Sequence, residues 1–467
     1  MTAQVDERQV DEIVRRILMT VNDRRAPQSV GPQGIFETVD EAINAVEWAQ
    51  RRFNRISIAQ RKAFIHAMRE VAISHSQRLA QMAVEETKLG RVSDKVIKTV
   101  LAAEKTPGVE DLPTEAFIGD DGLTVEEPAP FGTILAILPV TNPTSTVINN
   151  AISMVAAGNT VLFAPHPSAK RTSFETIGLL NQAIEKAGGP PNLLVGVEQA
   201  TMETVRELMT HPKIHLISAT GGKEIVRLAM SSGKRAIGAA AGNPPVIVDE
   251  TANPEKAAND VVLGASFDNN LPCVAEKECL VVEWMADALL RCFPTANAMV
   301  LGKEHLPRLE ALILHGEQRN PSKEYVGKNA SVILRQLGIP ADDDLRLIVV
   351  ETDRNHPLVT HEQMMPVLPV VRVPSFEEAV DLAVEVEGGL HHTASIHSAN
   401  IHHMSDYGKA IGTTIFVKNA PNYAGIGYGG EGPTSFTIAG ATGEGLTTAR
   451  VFVRRRRCTL VGAFSLV

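Results

Sequence analysis

An α/β architecture with two successive parallel sheets is what this 467-residue chain predicts, and three observations carry it. Short apolar runs alternate with amphipathic helical text from Thr133 to Ile217. A second alternation of the same kind runs from Pro245 to about Asn419, and the extended, turn-rich stretch Pro113 to Phe131 stands apart from both. Alternation at this spacing means strands laid parallel and joined by crossover helices.

Composition agrees with a globular enzyme: 44% of residues are hydrophobic and 21% charged, and the length allows two or three domains with a large core. The net charge of −9 and pI near 5.9 argue against a nucleic-acid or anionic-membrane partner, both of which want a basic face. Any anionic ligand must then be held by local features. No apolar run approaches bilayer length, and Met1 to Arg8 is too polar for a secretory signal, so a soluble protein kept inside the cell is expected.

The first element is short and separate. Val10, Ile13, Val14, Ile17, Leu18 and Val21 recur at helical spacing, with Asp11, Glu12, Arg15 and Arg16 on the other face. Residues 23–34 behind it have the Pro/Gly/polar composition of a linker. Val39 to Glu86 reads as helical. Strands are expected at Thr133 to Leu138, Thr160 to Phe163, Leu193 to Val195 and Ile214 to Ile217, with helices at Ser145 to Ala156, Ser173 to Ala187 and Thr201 to Met209. After the last of these strands, Thr220-Gly221-Gly222 opens a helix, where free backbone N–H groups and the helix dipole suit a pyrophosphate. A glycine pair alone is more often only a tight turn.

Cys273 lies in the polar, small-residue stretch Gly264 to Glu276, between the structured runs Pro245 to Val248 and Cys279 to Glu283. A thiol presented there suits nucleophilic chemistry, although a free cysteine is often just a small buried hydrophobe. The other cysteines, Cys279, Cys292 and Cys458, show neither metal-ligand spacing nor a disulfide framework, which fits a reducing compartment. His391, His397, His402 and His403 lack the carboxylate or cysteine that would complete a metal site, so no metal is expected. The run Arg454 to Arg457 interrupts extended text at Val451 to Val453 and Thr459 to Val461, where solvated or intersubunit pairing is expected.

Together these stretches resemble a known family. Leu138 to Ser145, Phe163 to Lys170, Thr220 to Gly222, Gly242 to Pro245, Ser266 to Cys273 and Glu362 to Pro369 occur in the order and spacing of the aldehyde dehydrogenase superfamily. Within it, the chain is similar to the CoA-acylating acetaldehyde and propionaldehyde dehydrogenases of ethanolamine and propanediol microcompartments. The resemblance implies two Rossmann-type α/β domains and a β oligomerisation arm. It divides the chain into a targeting helix (1–22), a linker (23–34), an NAD-binding domain (35–112 and 132–242), a catalytic thiol domain (243–440) and an arm (113–131 and 441–467).

The resemblance also implies roles. Cys273 would attack the aldehyde, and Asn142 with the Cys273 N–H would hold the oxyanion. Thr220, Gly221 and Gly222 would lie against the NAD pyrophosphate, and Glu362 would bond the nicotinamide ribose. His392, in Gly389 to Ala394, is a candidate for positioning substrate or coenzyme A. Hydrolytic relatives carry a water-activating glutamate where this chain has Ala239, and its neighbours Ala240, Ala241 and Gly242 supply no carboxylate. A thioester then waits for the coenzyme A thiol, and acyl-CoA is the expected product.

A second departure is at Ala164-Pro165-His166-Pro167, which lacks the lysine and glutamate that many relatives use on the adenosine ribose. One cleft would then admit NAD and the phosphorylated nucleotide of coenzyme A in turn, with Pro165 and His166 on the cofactor and His166, Ser168 or Lys170 near the phosphate. Residues 10–21 match the helix that docks microcompartment enzymes on shell or cargo proteins, which implies encapsulation in a bacterial microcompartment, and the resemblance as a whole implies a homodimer or homotetramer. A hydrolytic dehydrogenase making a carboxylic acid and a non-catalytic cargo protein are the alternatives. The same architecture also serves glutamyl-phosphate reductases, a reading that leaves the first helix unexplained.

Overall fold

The computed structural model describes residues 26–465, so the amphipathic segment at residues 10–21 lies outside the described residues. Among the described residues no helix is long and apolar enough to cross a membrane.

Both alternating series fold as parallel sheets. The first has six strands in the order Ile35–Phe36, Leu194–Val197, Thr160–Ala164, Thr133–Ile137, Leu216–Thr220, Ala236–Ala239, every pairing parallel. Thr133–Ile137 and Leu216–Thr220 are neighbours although two strands come between them in the chain. Strand order therefore reverses at this pair, and a crevice opens outside their carboxyl ends. The central strands are apolar after their first threonine and buried on both faces, as helix-covered parallel strands must be.

Val39 to Glu86, read as one helical region, is three helices: Val39–Phe53, Ile58–Ser74 and Ser76–Thr87. The first two begin with capping boxes, Thr38 with Glu41 and Ser57 with Gln60, which satisfy the N–H groups freed at each break.

The second sheet has seven parallel strands, ordered Ala298–Leu301, Leu347–Glu351, Val367–Val373, Glu278–Val282, Pro245–Val248, Thr393–His397, Ile415–Lys418. The chain then returns to the first body: Ile426, Phe436, Ile438, Ala449 and Phe452 are buried in the same core as Ile134, Val155 and Phe163. Val274 joins that core too, so the residue after Cys273 is wedged between the two sheets. We propose that the domain boundary falls at residues 242–243, between the last strand of the first sheet and the first of the second.

A third sheet, of Glu115–Gly119, Gly122–Pro130 and Val453–Val461, is antiparallel and exposed. The arginine run does not interrupt its last strand, as the sequence suggested, but forms its middle. Two of its arginines pair within the chain, Arg455 with Glu115 at 2.8 Å and Arg457 with Glu126. Alternation along the strand places both on one face, opposite carboxylates from the neighbouring strands.

Candidate active site

The first sheet contributes the carboxyl ends of its strands and the second the amino ends. Asn142 follows the strand Thr133–Ile137, and Gly221 and Gly222 follow Leu216–Thr220, so they flank the reversal crevice. From the other sheet, Gly242 precedes the strand Pro245–Val248, Cys273 precedes Glu278–Val282, Glu362 precedes Val367–Val373 and His392 precedes Thr393–His397. The residues singled out in the sequence thus come from two facing strand edges.

The loop into Cys273 has an unusual backbone. Asp268, Asn269 and Asn270 all have positive φ, at 47°, 56° and 66°, a region that Asn and Asp tolerate better than other side chains. Buried bonds offset the cost. Asp268 accepts from Lys95 at 3.0 Å, from Lys98 and from the Arg91 N–H at 2.8 Å. Asn269 donates to the Gly327 carbonyl at 2.9 Å, and Asn270 donates to the carbonyls of Ala265 and Glu276 while its own side-chain oxygen takes Lys277 Nζ at 2.7 Å. Gly90 is obligatory beside this loop, because a Cβ there would fall 2.0 Å from Asp268 Oδ1.

Cys273 itself is half-buried. Burial, and next the Glu362 carboxylate, push its thiol up to about 12, while Lys277 and Lys98 act in the opposite direction. The thiol therefore rests protonated, and a cationic or hydrogen-bonding change beside it is what would release the thiolate. Lys277 is fully buried, with Nζ on the Asn270 carbonyl at 2.8 Å and 3.8 Å from Glu362. Burial lowers the pKa of Lys277 and raises that of Glu362. The Glu362 loop is tied to the same segment by Gln363 Nε2, which donates to the Lys277 carbonyl at 3.1 Å.

Of the two adjacent histidines, only His392 is buried, with its ring beside Gly242. A Cβ on Gly242 would meet the Cys273 carbonyl oxygen at 2.8 Å and the His392 ring at 2.8 Å, so both residues line the space beside Gly242. His392 is buried, and burial holds its pKa down to about 4, so the ring is neutral. Its N–H donates to Glu387 at 2.9 Å, its Nδ1 meets Thr393 Oγ1 at 2.9 Å, and its Nε2 has no protein partner. His391 is exposed, with its Nδ1 on the Gly412 carbonyl at 3.2 Å.

Asn142 is buried, and its Oδ1 accepts from Lys98 Nζ at 2.5 Å. Ala239 ends its strand in a buried position, and no carboxylate occurs from Ala236 to Gly242. Glu362 is the carboxylate that acts on the thiol.

The cofactor cleft fits NAD on two observations. The helix Lys223–Met230 has Gly222 at its N-cap with no side-chain cap, which leaves its first N–H groups for an anion, and the space beside Gly222 is open where a side chain would stand. Gly221 donates to the Ala239 carbonyl at 3.1 Å, and the Thr220 hydroxyl is tied to Thr437 at 2.8 Å. At the neighbouring strand ends Pro165 is buried, while His166 and Ser168 are exposed, with the Ser168 N–H donating to His166 Nδ1 at 3.2 Å. Lys170 pairs with Glu198 at 2.9 Å. Sequence reading found no carboxylate here and missed Glu198, which arrives from the end of another strand. It already engages the lysine considered for a phosphate.

Asp249, Glu250 and His403 bring ligand atoms within 4.8 Å of one another. His403 Nδ1 is hydrogen-bonded to Asp249 at 2.9 Å and its ring stacks on Phe376 at 3.9 Å, an arrangement that serves packing.

Two facing parallel sheets, a thiol at their seam and an anion-binding helix start across the crevice define an α/β enzyme that pairs a cysteine nucleophile with a dinucleotide. The family model for the aldehyde dehydrogenase family matches residues 31–444, and the chain belongs to that family. It is 47% identical to an acetaldehyde dehydrogenase (acetylating), EutE, of Salmonella typhimurium, over 99% of this chain and 100% of that protein. A propionaldehyde dehydrogenase of Rhodopseudomonas palustris, solved with bound CoA and an acylated cysteine, is 49% identical with a TM-score of 0.90, covering 92% of this chain and 98% of that one. A propionaldehyde dehydrogenase from the fucose utilisation microcompartment of Clostridium phytofermentans is 46% identical with a TM-score of 0.91, covering 93% and 100%.

Proposed function

We propose that this protein oxidises a short aliphatic aldehyde, acetaldehyde or propionaldehyde, to its acyl-CoA with NAD, and that Cys273 carries the acyl group between the two half-reactions. Sγ of Cys273 bonds to the aldehyde carbon, the carbonyl electrons move to oxygen, and the thiol proton is released to water. The Asn142 amide and the Cys273 N–H hold the oxyanion of this thiohemiacetal. Bound NAD, with Gly221 and Gly222 at its pyrophosphate and Glu362 at its nicotinamide ribose, supplies the hydride acceptor. What remains on Cys273 is a thioester.

Release needs a second nucleophile. Coenzyme A attacks the thioester carbon as its thiolate and the Cys273 sulfur leaves, an exchange between two thiols with little change in bond energy. His392, neutral and with Nε2 unpartnered in the protein, is suited to position the incoming thiol by a hydrogen bond. The observation that carries this reading is a half-buried thiol at the edge of the second sheet, with no carboxylate from Ala236 to Gly242 to activate water. Formation of NADH from propionaldehyde with and without coenzyme A, with the product identified, tests it: propionyl-CoA is expected, and free propionate would support the hydrolytic alternative.

The arm supports assembly into a homo-oligomer. Ile118, Leu123 and Leu460 are aligned across its three strands, and Ile118 and Leu460 are 64% and 44% exposed. An apolar row of this kind is suited to a second copy. The pattern of residues 10–21 supports docking on a microcompartment shell or cargo protein.

A further inference from the structure

We infer that Lys98 is a positioning residue for the first chemical step, fixing which way the Asn142 amide faces. The inference rests on the reading of Asn142 as the oxyanion donor. Lys98 sits on the helix Val92–Lys105, is 2% exposed and donates to Asn142 Oδ1 at 2.5 Å. An ammonium has donors only, so the amide can present nothing but its carbonyl oxygen to it. The reversed amide would oppose N–H to N–H in a buried site. Nδ2 is thereby turned away, with Thr141 Oγ1 at 3.2 Å as its protein partner, and one of its two N–H bonds remains for a substrate oxygen.

The same ammonium reaches the nucleophile's loop. Lys98 pairs with Asp268, whose carboxylate also takes Lys95 at 3.0 Å and the Arg91 N–H at 2.8 Å, and whose own N–H donates to Asp94 at 2.8 Å. One side chain therefore ties the oxyanion donor to the segment that presents Cys273. Charge neutralisation alone does not explain it, because Lys95 is equally buried and already faces Asp268. The feature that Lys95 lacks is the contact with the amide: its remaining bond is to the Thr141 carbonyl at 3.1 Å. Burial also holds Lys98 down to about 8, and its charge acts on the Cys273 thiol against the upward push of burial.

A double-mutant cycle on the full-length protein tests this, with Lys98→Met, Asn142→Ala and the pair assayed for propionaldehyde oxidation at saturating NAD and coenzyme A. Loss of a preorganised oxyanion contact lowers kcat by about 100-fold, so Lys98→Met is expected to fall that far, with the KM for propionaldehyde nearly unchanged. In the Asn142→Ala background, removing Lys98 is expected to cost no more than about 3-fold, because the two changes delete one function. Losses that multiply would overturn the inference and leave the oxyanion reading standing. Full activity of Asn142→Ala would instead refute the oxyanion reading, and the inference with it. Lys98→Gln keeps an N–H donor toward the amide and is carried through the same cycle, so the test stands even where Lys98→Met does not fold. It is expected to retain more activity than Lys98→Met, and an equal or larger loss would contradict the orienting role.

Discussion

Lys277 Nζ stands 3.8 Å from a carboxylate oxygen of Glu362, and the two act on the Cys273 thiol with opposite sign. Burial raises the thiol pKa, Glu362 raises it further and Lys277 lowers it. Since the thiolate fraction rises as the pKa falls, Glu362→Gln should speed alkylation of Cys273 by iodoacetamide at pH 8 and Lys277→Met should slow it. Both changes are expected to move the rising limb of the rate against pH, to lower pH for Glu362→Gln and to higher pH for Lys277→Met.

Gly242 leaves no room for a side chain between Cys273 and His392. Gly242→Ala forces the Cys273 carbonyl or the His392 ring to shift, at a cost of about 1–3 kcal/mol if the protein absorbs the overlap. The fold should survive, with a lowered Tm, while kcat falls by at least about 10-fold because the oxyanion-binding N–H moves with the same backbone. Thermal melting and steady-state kinetics on one preparation check both parts.

The row Ile118, Leu123, Leu460 is expected to be covered by a second copy in solution. Ile118→Asp combined with Leu460→Asp places charge on that row without touching the active site. Light scattering after size-exclusion chromatography should report a smaller species than the native protein, and an unchanged mass would mean that the arm is not the contact.

Deleting residues 1–21 should leave aldehyde oxidation intact, since every residue proposed for the site lies between Lys98 and His392. Co-sedimentation with microcompartment shells is expected to be lost. Retained co-sedimentation would place docking elsewhere, and lost activity would show that the segment belongs to the fold.

Much of this was legible in the sequence because it is local. Apolar runs such as Thr133 to Ile137 and Pro245 to Val248 announce buried parallel strands, and the helix at Ser145 to Ala156 lies where its periodicity placed it. Cys273, Asn142 and Gly221-Gly222 stood out because each lies in a distinctive short stretch. The supporting shell was hidden because its contacts are distant in sequence: Lys98 meets Asp268 across 170 positions, and Glu198 reaches Lys170 from another strand. A signal for the lysines did exist. Lys95 and Lys98 share a helical face with Thr99 and Ala102, all buried, and charges on an apolar face need buried partners.

The central claim is that Cys273 holds an acyl group that only a thiol can remove at a useful rate. Enzyme mixed with propionaldehyde and NAD, but no coenzyme A, should release about one equivalent of NADH per active site and stop, with a propionyl adduct on Cys273 by peptide mass mapping. Coenzyme A should then discharge the adduct as propionyl-CoA and restart turnover. Continuous NADH formation with accumulating propionate in the absence of coenzyme A, or a full burst from Cys273→Ser, would contradict the account.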